Sequence, residues 1–224
     1  MIDANKLIDT LKLRFYNEYL YTNHVYDEGE SPFHKQLTEK VITDFVDKLE
    51  LPKDAHILDL GCGPGYFLDE MKKRGYTNLT GVTLSQNDID LCVSKGHTIK
   101  QYDLSFLPQV DGYYDECVDF IFLRHALEHS PYPIFSLMEY NRVLKQYGKI
   151  YIEVPAVECE RQHERNLNHY SVLTSSMWIA LFERTGFNID EFREMEFKIQ
   201  FPDREIDEKA YIFVLSKVRA LDVK

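Results

Sequence analysis

Residues 57–65 read Ile-Leu-Asp-Leu-Gly-Cys-Gly-Pro-Gly. An apolar run carries an acid near its end, three glycines follow at alternate positions, and a helix-like segment runs from Tyr66 to Arg74. Glycine adopts the left-handed backbone that a tight strand-to-helix turn needs, and without a Cβ it lets a ligand approach bare main chain. An ordinary tight turn also uses glycines, so the surroundings decide. Here an apolar strand precedes the glycines and a second strand, Asn78–Val82, follows about twenty residues on, as a nucleotide-binding crevice requires. From residue 55 onward strands and helices alternate, which predicts an α/β fold with a parallel sheet and helices on both faces.

The later segments fall in a definite order. Gly81-Val82-Thr83-Leu84-Ser85 closes the second strand, and Gln101-Tyr102-Asp103-Leu104 closes a third, Thr98–Tyr102. Val118–Leu123 forms a fourth. Tyr140-Asn141-Arg142-Val143-Leu144-Lys145 with Gly148 precedes a fifth, Lys149–Pro155. Together with Ile57–Gly65, over roughly residues 50–190, these segments resemble the motifs of class I S-adenosylmethionine-dependent methyltransferases. The resemblance implies a Rossmann-like seven-stranded sheet, mostly parallel with an antiparallel final strand. The hairpin that would close it is visible in the pattern. Glu194–Phe201 alternates strictly, Ala210–Val218 is a second strand, and Pro202–Lys209 is the polar loop between them. Ser130-Pro131 is expected to open the helix before the fifth strand, with proline at the first turn.

Two segments precede the sheet. Leu7, Ile8, Leu11 and Phe15 share one helical face, and so do Leu37, Val41, Ile42, Phe45, Val46 and Leu49. They predict an N-terminal helical cap over 1–50, ahead of a methyltransferase domain over 51–224. Tyr16, Tyr19, Tyr21, Tyr26 and Phe33 would form a lid whose rings attract a sulfonium by cation–π interaction, or would simply pack the cap.

The resemblance assigns S-adenosylmethionine as cofactor and maps its contacts. Gly61, Cys62, Gly63 and Gly65 would meet the amino acid end, and Asp59 would organise that loop or face the ammonium. Thr83 stands where most relatives carry the acid that grips the ribose hydroxyls. The Gly-Val-Thr-Leu-Ser variant resembles the cyclopropane fatty acid synthase branch, in which a side chain five residues on helps hold the ribose; here that is Asp88. Asp88 is equally a favourable acid at a helix N-terminus. Asp103 would accept from the adenine amino group, with Leu104 on the ring, or would be a turn residue. Arg124, at the end of the fourth strand, completes the expected cofactor set.

Methyl transfer is an in-line displacement that aligns nucleophile, methyl and sulfur and calls for a base when the nucleophile carries a proton. After the fourth strand stands Arg124-His125-Ala126-Leu127-Glu128-His129. A helical turn there would put His125 and His129 on one face with Glu128 beside them. The Glu-His pair resembles that of cyclopropane synthases and related plant N-methyltransferases, so either histidine is a candidate base, against a structural role. The polar segment Ala156–Ser171 is the expected substrate wall, or a solvated loop, and His169 in it is a competing base. Glu158, His163 and His169 are irregularly spaced, and no metal is expected.

Composition narrows the acceptor. With 26 Lys and Arg against 37 Asp and Glu, the formal charge is −11, which lacks the positive footprint of non-specific nucleic-acid binding. The Asn/Asp-Pro-Pro-Tyr motif of amino-methylating nucleic-acid enzymes is absent after the fourth strand. Cys62, Cys92, Cys117 and Cys159 show no metal spacing and read as reduced thiols of a cytoplasmic protein. Met1–Lys6 lacks a signal-peptide pattern, and no apolar run reaches membrane-spanning length. The expected reaction is O-methylation of a small polar acceptor, a metabolite or sugar. N-methylation of a small amine and a catalytically silent cofactor-binding subunit are the alternatives, and a homodimer stays open.

Overall fold

The structure, a computed structural model, describes residues 29–108, 112–200 and 204–218. The apolar segments become seven strands: β1 (Ile57–Leu60), β2 (Leu79–Thr83), β3 (Thr98–Gln101), β4 (Val118–Arg124), β5 (Leu144–Pro155), β6 (Phe187–Gln200) and β7 (Glu205–Lys217). They pair in the order β3-β2-β1-β4-β5-β7-β6. Neighbours from β3 to β5 are parallel, and β7 runs antiparallel to both β5 and β6. The order reverses between β1 and β4, and in open α/β sheets ligands bind at such a switch point, outside the carboxyl ends of the strands.

Helices cover the sheet: α1 (Pro32–Val41), α2 (Tyr66–Lys73), α3 (Gln86–Ser94), α4 (Pro133–Val143) and α5 (Ser175–Arg184). Two buried clusters result. One joins Leu58, Leu60, Ile121, Leu123, Ile150 and Ile152 to Leu137 and Tyr140 of α4 and to Trp178 and Phe182 of α5. The other joins Ile57, Phe120, Phe122 and Tyr151 to Phe67 and Met71 of α2 and to Val41, Ile42, Phe45 and Val46. The residues after α1 thus share a core with the sheet. The first predicted helix and Tyr16, Tyr19, Tyr21 and Tyr26 lie outside the described residues. Phe33 is on α1, exposed and edge-on to His34.

Three boundaries differ from the sequence reading. Helix α4 begins at Pro133, not Pro131. Pro133 takes the tolerated first turn, and the residue before a proline is kept out of the α region, so Tyr132 sits at φ −132° and ψ 65° and cannot be helical. Strand β5 begins at Leu144, directly after α4, and its ladder with β4 is interrupted between Val118 and Phe120. The final hairpin is longer than its alternating core. Phe187 pairs with Lys217 and Gln200 with Glu205, so most of the expected loop is strand. Because β5 stops pairing at Pro155 opposite Ala210, the tip of the hairpin projects beyond the carboxyl end of β5, on the side of the switch point.

Gly148 sits where the β4–β5 irregularity is tightest. A Cβ there would lie 2.9 Å from Leu144 Cδ2, 2.9 Å from the Lys145 carbonyl and 3.3 Å from the Asp119 carbonyl. Two of those atoms are backbone and cannot rotate away. Gly148→Ala is expected to lower unfolding free energy by about 1–3 kcal/mol, the range for overpacking, measured by urea denaturation. An unchanged midpoint and slope would contradict this account of the crossover.

Candidate active site

Three glycines turn the chain out of β1. Gly61, Gly63 and Gly65 have φ of 76°, 47° and 83°, the left-handed region that side chains other than glycine's resist. The Gly61 and Cys62 amides both donate to the Val82 carbonyl, at 2.8 and 3.1 Å, which pins the loop to the end of β2. A Cβ at Gly61 would lie 2.6 Å from Ala126 Cβ, and one at Gly65 2.8 Å from Cys92 Sγ. The loop after β1 and the loop after β4 therefore touch across the switch point. The Cys62 thiol is turned inward against Gly81, beside Cys92; what Cys62 offers a ligand is main chain. Its hydrogen bond with Cys92, reinforced by burial, holds that thiol far above its ordinary pKa. Asp59 is buried within β1, one residue short of the strand's end.

The next two strands end in capped turns. Thr83 Oγ1 accepts from the Ser85 amide at 3.2 Å, and Ser85 Oγ accepts from the Asp88 amide at 3.0 Å, so Ser85 is the N-cap of α3. Asp88 is buried in the first turn, close enough to Cys62 and Cys92 for its charge to act on both thiols. Asp103 is also buried. Its Oδ1 accepts from the Ser105 amide at 2.8 Å, the turn role, and burial pushes its carboxyl pKa up. Leu104 lies partly buried against the main core. A strap crosses near the glycine loop: Lys95 Nζ donates to the Pro64 carbonyl at 2.9 Å and to Glu30 Oε1 at 3.2 Å, and the Ser31 amide donates to the Tyr66 hydroxyl.

The expected helical turn after β4 is not formed. His125 takes a left-handed φ of 49°, and only Leu127–His129 makes a 3-10 turn. His125 and His129 therefore do not stack on one helical face. His125 is clamped instead between two carboxylates, its Nε2 3.1 Å from Glu153 Oε1 and its Nδ1 3.3 Å from Glu128 Oε1. Glu153, on β5, is 0% exposed and also takes Arg124 Nε at 3.2 Å and the Tyr151 hydroxyl at 2.8 Å on Oε2. Burial opposes the charges of His125, Glu128 and Glu153. The opposite charges outweigh it, holding Glu153 at about 2 and raising His125 to about 9. His125 is thus a cation at neutral pH and not a proton acceptor. Arg124, expected at the cofactor, gives its Nε to Glu153.

The loops after β4 and β5 are sewn together. The Glu128 carbonyl accepts from the Tyr170 and Ser171 amides at 2.9 and 3.0 Å, and Ser171 Oγ donates to the Ser130 carbonyl at 2.7 Å. This seam brings His169 edge-on to His129, ring centroids 4.9 Å apart, and face-to-face with His163 at 5.2 Å. His129 Nδ1 lies 2.8 Å from the Asn168 carbonyl, so Nδ1 carries a proton. Burial depresses His169 to about 4, which leaves it neutral. Its Nδ1 is buried with no hydrogen-bond partner.

Glu153 and Tyr151 escaped the sequence reading. The signal was there: a charged residue in Ile-Tyr-Ile-Glu-Val, a strand covered on both faces, must be paired. The Ser105, Ser130 and Ser136 hydroxyls, joined in a buried triangle with oxygens 2.8–3.2 Å apart, left no signal, because serines so far apart in sequence read as loop.

Known proteins share this architecture. The sequence profile of the family described as "Methyltransferase domain" matches residues 33–191. Human EEF1A lysine methyltransferase 2 is 29% identical over 167 residues, covering 70% of this chain and 69% of its own length. The Xenopus tropicalis tRNA (carboxymethyluridine(34)-5-O)-methyltransferase alkbh8 is 29% identical over 153 residues, covering 67% of this chain and 23% of its own length. Among solved structures, a SAM-dependent methyltransferase from Archaeoglobus fulgidus superposes with a TM-score of 0.66 at 16% identity, over 92% of this chain and 99% of the other. Among the described residues no helix is long and apolar enough to cross a membrane.

The two perturbed histidines predict opposite pH responses. His125 is raised from 6.5 to about 9, so its contribution to stability is complete below pH 6.5 and is lost as pH rises through 9. His169 is lowered from 6.5 to about 4, so its contribution is present above pH 6.5 and is lost as pH falls through 4. The His125 effect should be about 2 kcal/mol after allowance for its partial exposure. Urea denaturation between pH 6.5 and 9 should show this decline, and His125→Gln should flatten it. An equal decline in the variant would place the titration elsewhere.

Proposed function

This chain belongs to the methyltransferase domain family and is an S-adenosylmethionine-dependent enzyme; from that premise we propose that it methylates a hydroxyl oxygen of a small polar acceptor, a metabolite or sugar. The observation that carries the reading is His129. Its Nδ1–H is committed to the Asn168 carbonyl, which directs the lone pair to Nε2, and it stands in the seam between the two loops that would face the reacting groups. A hydroxyl must lose its proton as its oxygen attacks, and an imidazole whose Nδ1–H is fixed can take that proton at Nε2. His169, neutral and edge-on, keeps the His129 ring in place. The His125–Glu153–Arg124–Glu128 cluster fixes the loop with its charges balanced, so no net charge draws an ionic acceptor.

The residues fit the cofactor. When bound, it supplies an electrophilic methyl group on a sulfonium. Gly61, Gly63 and Gly65 clear main chain for its amino acid end beside Asp59. Thr83 and the buried Asp88 supply the hydroxyl and carboxylate for the ribose, and Asp103 and Leu104 line the adenine side. The contacts of Glu30, Ser31 and Lys95 hold the start of α1 beside the glycine loop; most of the cap expected over 1–50 lies outside the described residues. A tRNA acceptor, as in the Xenopus relative, would need a basic surface that a formal charge of −11 does not favour. An amine acceptor is the second reading, favoured by the buried, unpartnered Glu128 Oε2 and by the relatives named for lysine methylation.

Two variants test these roles. Asp88→Ala should weaken S-adenosylmethionine binding by about 1–3 kcal/mol, read by calorimetry; an unchanged dissociation constant in the folded variant removes Asp88 from the ribose site. His129→Ala should leave cofactor affinity intact and lower turnover roughly 10²–10⁴-fold on a hydroxyl acceptor found by mass-spectrometric screening. Full turnover in that variant would move the base to His169, and a screen that returns only amines would select the second reading.

A further inference from the structure

Beyond the methyl-transfer site, the projecting hairpin carries an acid into the acceptor-side loop. Glu208 on β7 pairs with Phe197 past the end of β5, and it meets Cys159 and His163 from the loop that follows β5. His163 Nε2 is 2.9 Å from Glu208 Oε1 and Cys159 Sγ is 3.5 Å from the same oxygen. The three side chains are 6%, 5% and 2% exposed for Cys159, His163 and Glu208, and their ligating atoms all lie within 4.8 Å of one another.

We propose that Cys159, His163 and Glu208 form a binding site for a zinc-class divalent ion that ties the acceptor-side loop to the hairpin. A thiolate, an imidazole and a carboxylate are the donor set of a borderline-soft cation, and three protein ligands leave a fourth tetrahedral position for water or another ligand. The two spacings at the Glu208 oxygen are near what such an ion needs. Tetrahedral bonds of ordinary zinc length place sulfur and oxygen about 3.5 Å apart, and nitrogen and oxygen about 3.3 Å apart. The sulfur–oxygen distance already matches, and the His163–Glu208 pair has to open by only a few tenths of an ångström. Binding releases the Cys159 thiol proton, and His163 ligates through Nε2 with its ring proton on Nδ1.

The surroundings are those of an oriented ligand set. Arg161 uses the other carboxylate oxygen, Oε2, at 3.4 Å, and the Lys209 amide donates to Oε1 at 3.0 Å. Such outer hydrogen bonds orient a ligating carboxylate. His169 stacks on the His163 ring with planes 8° apart, so an ion here would also steady the ring next to His129. Arg161, 45% exposed, sits at the rim and leaves a way in. Glu128, His129 and His169 also bring ligating atoms within 4.8 Å, but they lack a thiol, and His129 Nδ1 is committed to a carbonyl.

Cobalt(II) reports the thiolate directly. The whole chain, free of a polyhistidine tag and stripped with a chelator, is titrated with cobalt chloride. One equivalent should produce the near-ultraviolet thiolate charge-transfer band and the visible bands of a four-coordinate site, and zinc should displace them. Cys159→Ser should abolish the charge-transfer band, and Glu208→Gln, of the same shape, should weaken zinc binding roughly 10–100-fold or more in competition with a chromophoric chelator. His163→Asn serves where the cysteine variant does not fold, and it too should lose the affinity. No band in the parent protein overturns the proposal. So does a band that survives in Cys159→Ser or His163→Asn, which would place the metal on other cysteines, or an affinity unchanged in Glu208→Gln.

Discussion

A single buried carboxylate organises the carboxyl edge of this sheet. Glu153 projects from β5 with no exposure to solvent, and it collects Arg124, His125 and Tyr151. An isolated charge in such a place would be prohibitive, and partners must neutralise it. They come from the end of β4, the neighbouring strand in register, where Arg124 lies opposite Glu153 and the His125 amide donates to the Glu153 carbonyl at 2.9 Å. The left-handed turn at His125 follows from that double attachment, and with it the path of the loop through Ala126 to His129. Removing one member would leave a buried charge uncompensated, a defect worth several kcal/mol.

Consequences spread from that turn. Ala126 closes against Gly61, so the loop after β1 and the loop after β4 share a van der Waals boundary. Glu128 balances the second side of His125 and, through its carbonyl, holds Tyr170 and Ser171 of the loop after β5. The Ser105–Ser130–Ser136 triangle binds the loop after β3 to α4 in the same neighbourhood. Four loops from different strand ends thereby form one rim. The same residue type takes two states on it. His125 between two acids is cationic, and His169 in a desolvated stack of rings is neutral. Environment rather than identity sets the charge a histidine carries.

The rim also explains the long hairpin. An antiparallel pair that ended with β5 would leave the loop after β5 with no partner on its far side. By running past Pro155, β7 gives it a wall: the Ala156 amide donates to the Lys209 carbonyl at 2.9 Å, and Glu208 meets Cys159 and His163. The buried contact compensates a length of ladder that is otherwise exposed.

What the sequence determined on its own was local and periodic. The glycines after β1 were legible because only glycine takes φ near +80° freely, and the alternation of apolar runs with helical patterns predicted a parallel sheet with helices on both faces. The alternation of Glu194–Phe201 revealed the hairpin because one of its faces is covered. The roles of His125, Arg124 and Glu208 were not legible, since each depends on a partner brought by another strand. Helical spacing suggested that His125 and His129 share one face; a contact across the neighbouring strand joined His125 to Glu153 instead, and a loop seam joined His129 to His169. Backbone preference acts over a few residues and can be read along the chain. Charge pairing and burial act through space between segments far apart in sequence, so only the folded chain decides which histidine is charged, which is neutral, and which acid each one meets.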